Sequence, residues 1–265
     1  MRVLVTGANR GVGRAIALRL ARDGADLGAV GRSHPEELEN LRAEVTGMGR
    51  RCVAISGDLA KPDDITRMVA ETADKLGGLD AIVSNAAFSP PLIPFIEQQV
   101  KDWDRCYAVN LRAAFLLAKA AYPHLKKGRG SFVAISSING CEPAPLRNIY
   151  GSSKAGLNML MRCLAQEWAE DGIRANTVTP GMVHTPMSEE VFGNPVRLAR
   201  RVRLVTLGRI GKPEETGDAV AWLLSPAAAL VTGQNLILDG AYLASIQAHV
   251  ASQPIWIKEK EKQKS

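Results

Sequence analysis

Val3-Leu4-Val5-Thr6-Gly7-Ala8-Asn9-Arg10-Gly11-Val12-Gly13 stands at the head of the chain and carries its architecture. Three apolar, β-favouring residues run into a glycine-rich turn, and beyond it Ile16, Leu18 and Leu20 mark a helix that Asp23-Gly24 ends. Strand, tight turn and helix in that order form the first half of a βαβ unit. Glycine lets the backbone bend sharply and lets a pyrophosphate approach amide N–H groups at a helix N-terminus, where the dipole favours anions. The spacing is Gly-x-x-x-Gly-x-Gly, not the Gly-x-Gly-x-x-Gly of the standard dinucleotide fingerprint. Such a turn serves a plain strand–helix bend as readily as a nucleotide, and its place on the first strand of a βαβ run favours the nucleotide.

The same rhythm continues outward. Leu27-Gly28-Ala29-Val30 is followed by a helix beginning after His34-Pro35, where proline suits the first turn. Val53-Ala54-Ile55 precedes Pro62 and the helical stripe Ile65, Met68, Val69 and Leu76. Further apolar runs are Ala81 to Val83, Phe132 to Ile135, Ala175 to Val178 and Leu236 to Leu238. Short continuous apolar strands separated by helices predict a parallel sheet covered on both faces. The expected fold is α/β, a Rossmann-like doubly wound sheet in one domain over residues 1–242. Residues 187–203 lack a strand pattern and are read as a lid. Residues 243–265 form a C-terminal extension whose apolar Ile255-Trp256-Ile257 is expected to dock on a neighbouring subunit.

A chain of 265 residues, 46% of them hydrophobic, is long enough to bury a core without disulfides or metal. The most apolar stretch, Ala219 to Val231, is broken by Ser225-Pro226, and no run reaches the length of a membrane span. The N-terminus, with Arg2 and a short apolar strand before the glycine turn, does not read as a signal peptide. The expected setting is cytoplasmic, with no membrane association. Cys52, Cys106, Cys141 and Cys163 lie far apart without Cys-x-x-Cys or a local His, so they are read as buried reduced thiols, and no metal site is expected.

The 33 Lys+Arg against 27 Asp+Glu leave a charge of +6, which in bulk suits nucleic acid, an anionic surface or an acidic ligand. Its placement decides among these. Arg197, Arg200, Arg201 and Arg203 contribute +4 in a stretch without acids, and residues 258–265 contribute +2. The body is therefore balanced and no nucleic-acid face is expected. The lid charge is read as attraction for an anionic substrate or cofactor, or as simple solvation.

The acid that would hydrogen-bond the ribose 2′-OH of NAD belongs at the end of the second strand. Gly31-Arg32-Ser33 stands there instead, and Arg10 in the glycine turn reaches the same region. A guanidinium pairs bidentately with phosphate, so NADP(H) is favoured over NAD(H). Farther on, Tyr150-Gly151-Ser152-Ser153-Lys154 opens a helix through Leu157, Leu160, Met161 and Leu164. A Tyr and a Lys four apart share one helix face, and the ammonium is expected to favour the phenolate.

Together these features resemble the short-chain dehydrogenase/reductase family, in its 3-oxoacyl-reductase-like single-domain form, and the likeness runs to about Tyr242. Gly7, Asn9, Arg10, Gly11, Val12 and Gly13 match the family's cofactor turn, with Arg32 and Ser33 beyond it. Asp58-Leu59 matches the position that touches adenine, and Asn85-Ala86-Ala87 stands in place of its Asn-Ala-Gly. Asn110, Ser137, Tyr150 and Lys154 match the catalytic tetrad. Pro180-Gly181, with Val183 and Thr185, matches the turn that holds the nicotinamide amide. Ala87 departs from the family's usual Gly, Ser84 from its first Asn, and Ala241 from the second Gly of the terminal Gly-Gly. A local adjustment is expected at Ala87, without loss of binding.

The resemblance implies hydride transfer between nicotinamide and a carbonyl or alcohol carbon. Tyr150 would be the general acid, Lys154 would lower its pKa and hold the nicotinamide ribose, and Ser137 would hydrogen-bond the substrate oxygen. Asn110 would position a water leading to Lys154. The pocket walls are expected over residues 88–93, 138–143 and 187–192, with His184 the first polar residue to test. Three readings follow: a carbonyl reductase or alcohol dehydrogenase of a small organic substrate; a 3-oxoacyl thioester reductase served by acyl carrier protein or coenzyme A; and a non-enzymatic nucleotide sensor or DNA-binding regulator. Lys126, Lys127 and Arg129 suit an acidic carrier, whereas Glu170-Asp171 oppose one. The third reading predicts a broken tetrad, and the tetrad is intact. A homodimer or homotetramer is implied, with Ala113, Ala114, Phe115, Leu117 and Ala118 offered as an interface face.

Overall fold

Each apolar run becomes a strand one to three residues longer than its apolar core: β1 (Arg2–Thr6), β2 (Asp26–Gly31), β3 (Cys52–Ser56), β4 (Ala81–Ser84), β5 (Ser131–Ile135), β6 (Arg174–Pro180) and β7 (Asn235–Leu238). The computed structural model describes residues 1–245, apart from the side chains of Met187, Glu190 and Val191. The expected docking of Ile255-Trp256-Ile257, the Lys/Glu run and the wall position of Met187 lie outside the described residues. The strands form one parallel sheet in the order β3-β2-β1-β4-β5-β6-β7. Val5 lies between Ala29 of β2 and Val83 of β4. The strand order reverses between β1 and β4, and in open α/β sheets such a reversal leaves a crevice beyond the carboxyl ends of the strands.

Helices cover both faces: α1 (Gly11–Arg22), α2 (Pro35–Gly47), α3 (Pro62–Leu76), α4 (Val100–Tyr107), α5 (Ala113–Gly128), α6 (Asn148–Glu167), α7 (Glu189–Phe192), α8 (Pro195–Val202) and α9 (Pro213–Leu224). Side chains alternate across the strands. Leu4, Ile82 and Phe132 pack into one layer with α3, α5 and α6. Val3, Val5, Val83 and Val133 enter the other with α1, α2 and α9. Each such side chain removed from water contributes roughly 1.5–3 kcal/mol, so the sheet is held from both sides. Asn110 lies in a π-helical turn, Ala108–Arg112, between α4 and α5.

Several expectations change here. Ala113, Ala114, Leu117 and Ala118 are buried against their own sheet, and only Phe115 of that face is exposed. Cys106 is buried and Cys52 half-buried, but Cys141 and Cys163 are exposed. Cys141 follows the turn after Ser137, and Cys163 falls off the stripe Leu157, Met161 and Leu164 that α6 buries. Two helices, α4 and α9, carry no expectation from the sequence. The Ser225-Pro226 break that interrupts the most apolar stretch is the end of α9. Residues 187–203 fold as α7 and α8 without a strand.

Candidate active site

The crevice at the strand reversal is a cavity of about 820 Å³. Its floor on the β1 side is the glycine turn. Gly7 and Gly11 take φ of 64° and 56°, the left-handed region that glycine enters without strain. A Cβ at Gly13 would lie 2.0 Å from the Gly7 carbonyl, so only glycine fits there. α1 begins at Gly11 with no side-chain cap and no acid in its first turn, leaving its N-terminal amides facing the cavity without a carboxylate competitor.

Neighbouring segments hold the turn in place. The Thr6 hydroxyl accepts from the amides of Asn85 (3.0 Å) and Ala86 (3.1 Å), and Asn85 Nδ2 donates to the Thr6 carbonyl at 2.9 Å. The β4 end is thereby stapled to the turn. Buried Asn9 donates to the Ser33 carbonyl (3.0 Å) and to Glu37 Oε2 (3.2 Å). Arg10 Nη1 lies 3.1 Å from His34 Nε2. Asp58 accepts from Arg105 Nη1 at 2.9 Å and from the Ala60 amide at 2.9 Å. Burial pushes the Asp58 carboxyl up, but Arg105 and that amide outweigh it and hold the group below its ordinary value.

Tyr150 and Lys154, one turn apart on α6, reach the cavity with the Lys154 ammonium 5.8 Å from the Tyr150 ring centroid. Lys154 is 2% exposed, and its Nζ donates to the Ile135 carbonyl at 2.7 Å. Burial pushes its pKa down to about 8. Burial also raises the Tyr150 phenol, and the opposing Ser137 hydrogen bond and Arg147 charge do not cancel it. The expectation that Lys154 favours the phenolate is therefore not met within the protein alone, because burial sets the direction and the groups that oppose it are Ser137 and Arg147, with Lys154 Nζ turned to the Ile135 carbonyl. Ser137 caps a short turn by accepting from the Asn139 amide at 3.2 Å.

All the residues expected at the cofactor line this one cavity: the turn from Gly7 to Gly13, Arg32 and Ser33, Asp58 and Leu59, Asn85 to Ala87, and Pro180, Gly181, Val183 and Thr185. Ser137, Tyr150 and Lys154 line it too. Asn110 is buried behind the wall instead. Its Oδ1 accepts from the Phe88 amide (2.8 Å), and its Nδ2 donates to the Phe88 carbonyl (3.0 Å) and Ser153 Oγ (3.0 Å), with Cys106 Sγ at 3.2 Å. Phe88, Leu92, Ile138, Asn139 and Phe192 are wall residues as expected. His184 is not: it is exposed and pairs with Glu189 at 2.7 Å.

The sequence reading missed Arg105, the partner of Asp58, because 47 residues separate them. It missed Glu37, which brings a carboxylate to Asn9 although the strand end itself has none. It also missed Arg147, which lines the cavity together with Arg201, a residue already read as part of a basic stretch drawn to an anionic ligand. The signal for Arg147 was its place three residues before Tyr150. Among the described residues no cluster of three His, Cys, Asp or Glu is arranged to hold a metal, and no helix is long and apolar enough to cross a membrane.

A family model described as enoyl-(acyl carrier protein) reductase matches residues 7–242. The short-chain dehydrogenase/reductase eriH of Hericium erinaceus is 34% identical over 245 residues, covering 91% of this chain and 96% of that protein. An L-rhamnose 1-dehydrogenase (NAD(P)(+)) of Sphingomonas sp. (strain SKA58) is 34% identical over 248 residues, with 92% and 97% covered. A short chain dehydrogenase from Burkholderia cenocepacia J2315, solved in complex with NADP, superposes with a TM-score of 0.85 at 31% identity, covering 90% of this chain and 96% of that one.

Proposed function

The chain belongs to the short-chain dehydrogenase/reductase family, the NAD(P)-dependent oxidoreductases of CH–OH groups, and from that premise we propose that it interconverts a ketone and a secondary alcohol of a small organic substrate using NADP(H). The supporting observation is the convergence of Ser137, Tyr150 and Lys154 on the cavity that the glycine turn floors. The turn fits a dinucleotide, because its α1 amides lack acceptors and its glycines leave room for a pyrophosphate. Gly7, Asn9, Gly11, Val12 and Gly13 would hold that pyrophosphate, and Arg10, Arg32 and Ser33 the 2′-phosphate. Asp58 and Leu59 would meet the adenine, Asn85, Ala86 and Ala87 the adjoining ribose, and Pro180, Gly181, Val183 and Thr185 the carboxamide. When bound, the nicotinamide supplies or accepts the hydride.

In the reducing direction, Tyr150 passes its phenolic proton to the carbonyl oxygen. Its raised pKa keeps it protonated at neutral pH, as a general acid must be. Ser137 donates to the same oxygen, where negative charge develops. Lys154 holds the ribose hydroxyls and stands next in line for the proton. Asn110 is assigned to bring a water toward Lys154 on the family resemblance, its own side chain being bonded to Phe88 and Ser153. The alcohol product carries the transferred hydride on carbon and the Tyr150 proton on oxygen.

NADP(H) over NAD(H) rests on Arg10 and Arg32, and the Burkholderia cenocepacia relative was solved with NADP. Domain limits of 1–242 with a lid at 187–203, a cytoplasmic setting and a homodimer or homotetramer complete the reading. The exposed Phe115 and Met159 on α5 and α6 support the assembly. The thioester reading is weakened at its basic turn, because Lys126 is paired with Asp171 at 2.8 Å. NADPH oxidation measured across a panel of ketones and acetoacetyl thioesters tests the proposal. Tyr150→Phe is expected to lower turnover roughly a hundred- to ten-thousand-fold. Turnover of no ketone in a Tyr150-dependent manner overturns the enzyme assignment, and preference for the thioesters promotes the second reading.

A further inference from the structure

The cavity holds more positive charge than the cofactor and the catalytic step use. Arg10 and Arg32 stand at the phosphate end, Arg105 is neutralised by Asp58, and Lys154 belongs to the reaction. Arg147 and Arg201 are left over. Asp58 is the only acid among the described residues lining the cavity.

Arg147 is the better placed of the two. It immediately precedes α6, and its guanidinium carbon lies 5.9 Å from the Tyr150 ring centroid. The group is half-buried, and no carboxylate pairs with it among the described residues. One nitrogen, Nη1, donates to Ser89 Oγ at 2.7 Å, which fixes the plane of the fork. The remaining N–H donors are available to a bidentate acceptor.

The backbone is bent to allow this. Leu146 takes a φ of 63°, the left-handed region where a bulky side chain costs roughly 1–2 kcal/mol. Such strain persists where the surroundings impose it, and it clusters at functional sites. Here it turns the chain between Pro145 and Arg147, both of which line the cavity. Arg201 reaches the same cavity from α8. An unpaired, half-buried guanidinium is costly unless an anion arrives to meet it.

We propose that the substrate is an oxo or hydroxy carboxylic acid whose carboxylate is received by Arg147, a short carbon chain away from the carbonyl that Tyr150 protonates. The inference rests on the assignment of Tyr150 as proton donor. Arg201, exposed on the lid, adds attraction at the cavity mouth.

The test uses the full-length protein with NADPH and paired probes, free 3-oxo and 4-oxo carboxylic acids against their ethyl esters. Each pair differs by one negative charge. The acids are expected to show at least tenfold higher kcat/KM than the esters, expressed in KM. Arg147→Gln collapses the acid-to-ester ratio toward one, and Arg147→Lys, which keeps the charge without the fork, retains part of it. NADPH binding, followed by its fluorescence, confirms that both variants are folded. A wild-type ratio at or below one, or a ratio unchanged in Arg147→Gln, overturns the inference. Tyr150-dependent turnover of esters and neutral ketones without acid preference overturns it while leaving the reading of the site intact. Absence of Tyr150-dependent turnover of acids, esters and ketones alike overturns both.

Discussion

At the scale of single residues, the chemistry is governed by how little water reaches Lys154. Its ammonium, 2% exposed, has a pKa near 8, below the ~10.4 of an unfolded chain. The folded state therefore sheds this proton first as pH rises. Lys154 costs stability below about pH 8, and the cost fades as pH climbs from there toward the unfolded value. Tyr150, shifted upward, remains an acid across the same window. We accordingly expect kcat/KM for reduction, which reports the free enzyme, to fall above about pH 8 as Lys154 loses its charge. A pH profile that stays level to pH 10 contradicts this assignment. The Tyr150–Lys154 pair was legible in sequence because its geometry is local, one helical turn. Arg147 was not, because its direction depends on a left-handed residue that no propensity would place at Leu146.

At the scale of elements, the strands were legible because both faces of a covered parallel sheet demand apolar residues. Their ends were less so, since Thr6, Ser84 and Ser131 are polar and extend the ladder all the same. The helices α4 and α9 escaped because α4 has one buried residue, Cys106, and α9 shares its apolar residues with the loop that follows. One defect in helix packing yields a prediction. Thr72 of α3 is fully buried, and its hydroxyl has no hydrogen-bond partner among the described residues. It presses on β2, where a Cβ at Gly28 would lie 2.4 Å from it. Thr72→Val keeps the shape and removes the stranded hydroxyl, so it is expected to stabilise the protein by about 1 kcal/mol. Thermal unfolding should then shift upward by roughly 2–4 °C. A lower Tm for this variant would count against the packing described.

For the whole molecule, the +6 charge of the sequence resolves into residues 194–204, which span α8, and residues 258–265, beyond the described residues. Arg201 of α8 lines the cavity, in keeping with the anionic-ligand reading of the charge. Cofactor binding should be visible in global stability, because a ligand that binds only the folded chain stabilises it by mass action. At a hundredfold excess over Kd this amounts to about 2.7 kcal/mol, or roughly 5–10 °C in Tm. NADPH is expected to raise Tm more than NADH at equal concentration, and Arg32→Asp to reverse the order. Equal shifts from the two nucleotides in the wild-type protein contradict the preference. The charge balance was open to arithmetic, whereas the cavity that collects Arg147 and Arg201 exists only once α8 and the start of α6 are folded together.

The π-helical turn Ala108–Arg112 bears on how this molecule can change. The Ala113 amide reaches back five residues to the Ala108 carbonyl, so the turn contains one residue more than an α-helix would allow. That surplus aims Asn110 at Phe88 and Ser153. A substitution at a neighbouring position leaves the number of residues in the turn unchanged, and with it the surplus that aims Asn110. Losing a single codon there is another matter: it removes the surplus, restores α-helical winding and takes Asn110 off its aim at Phe88 and Ser153. For this stretch, length is inherited more strictly than letters.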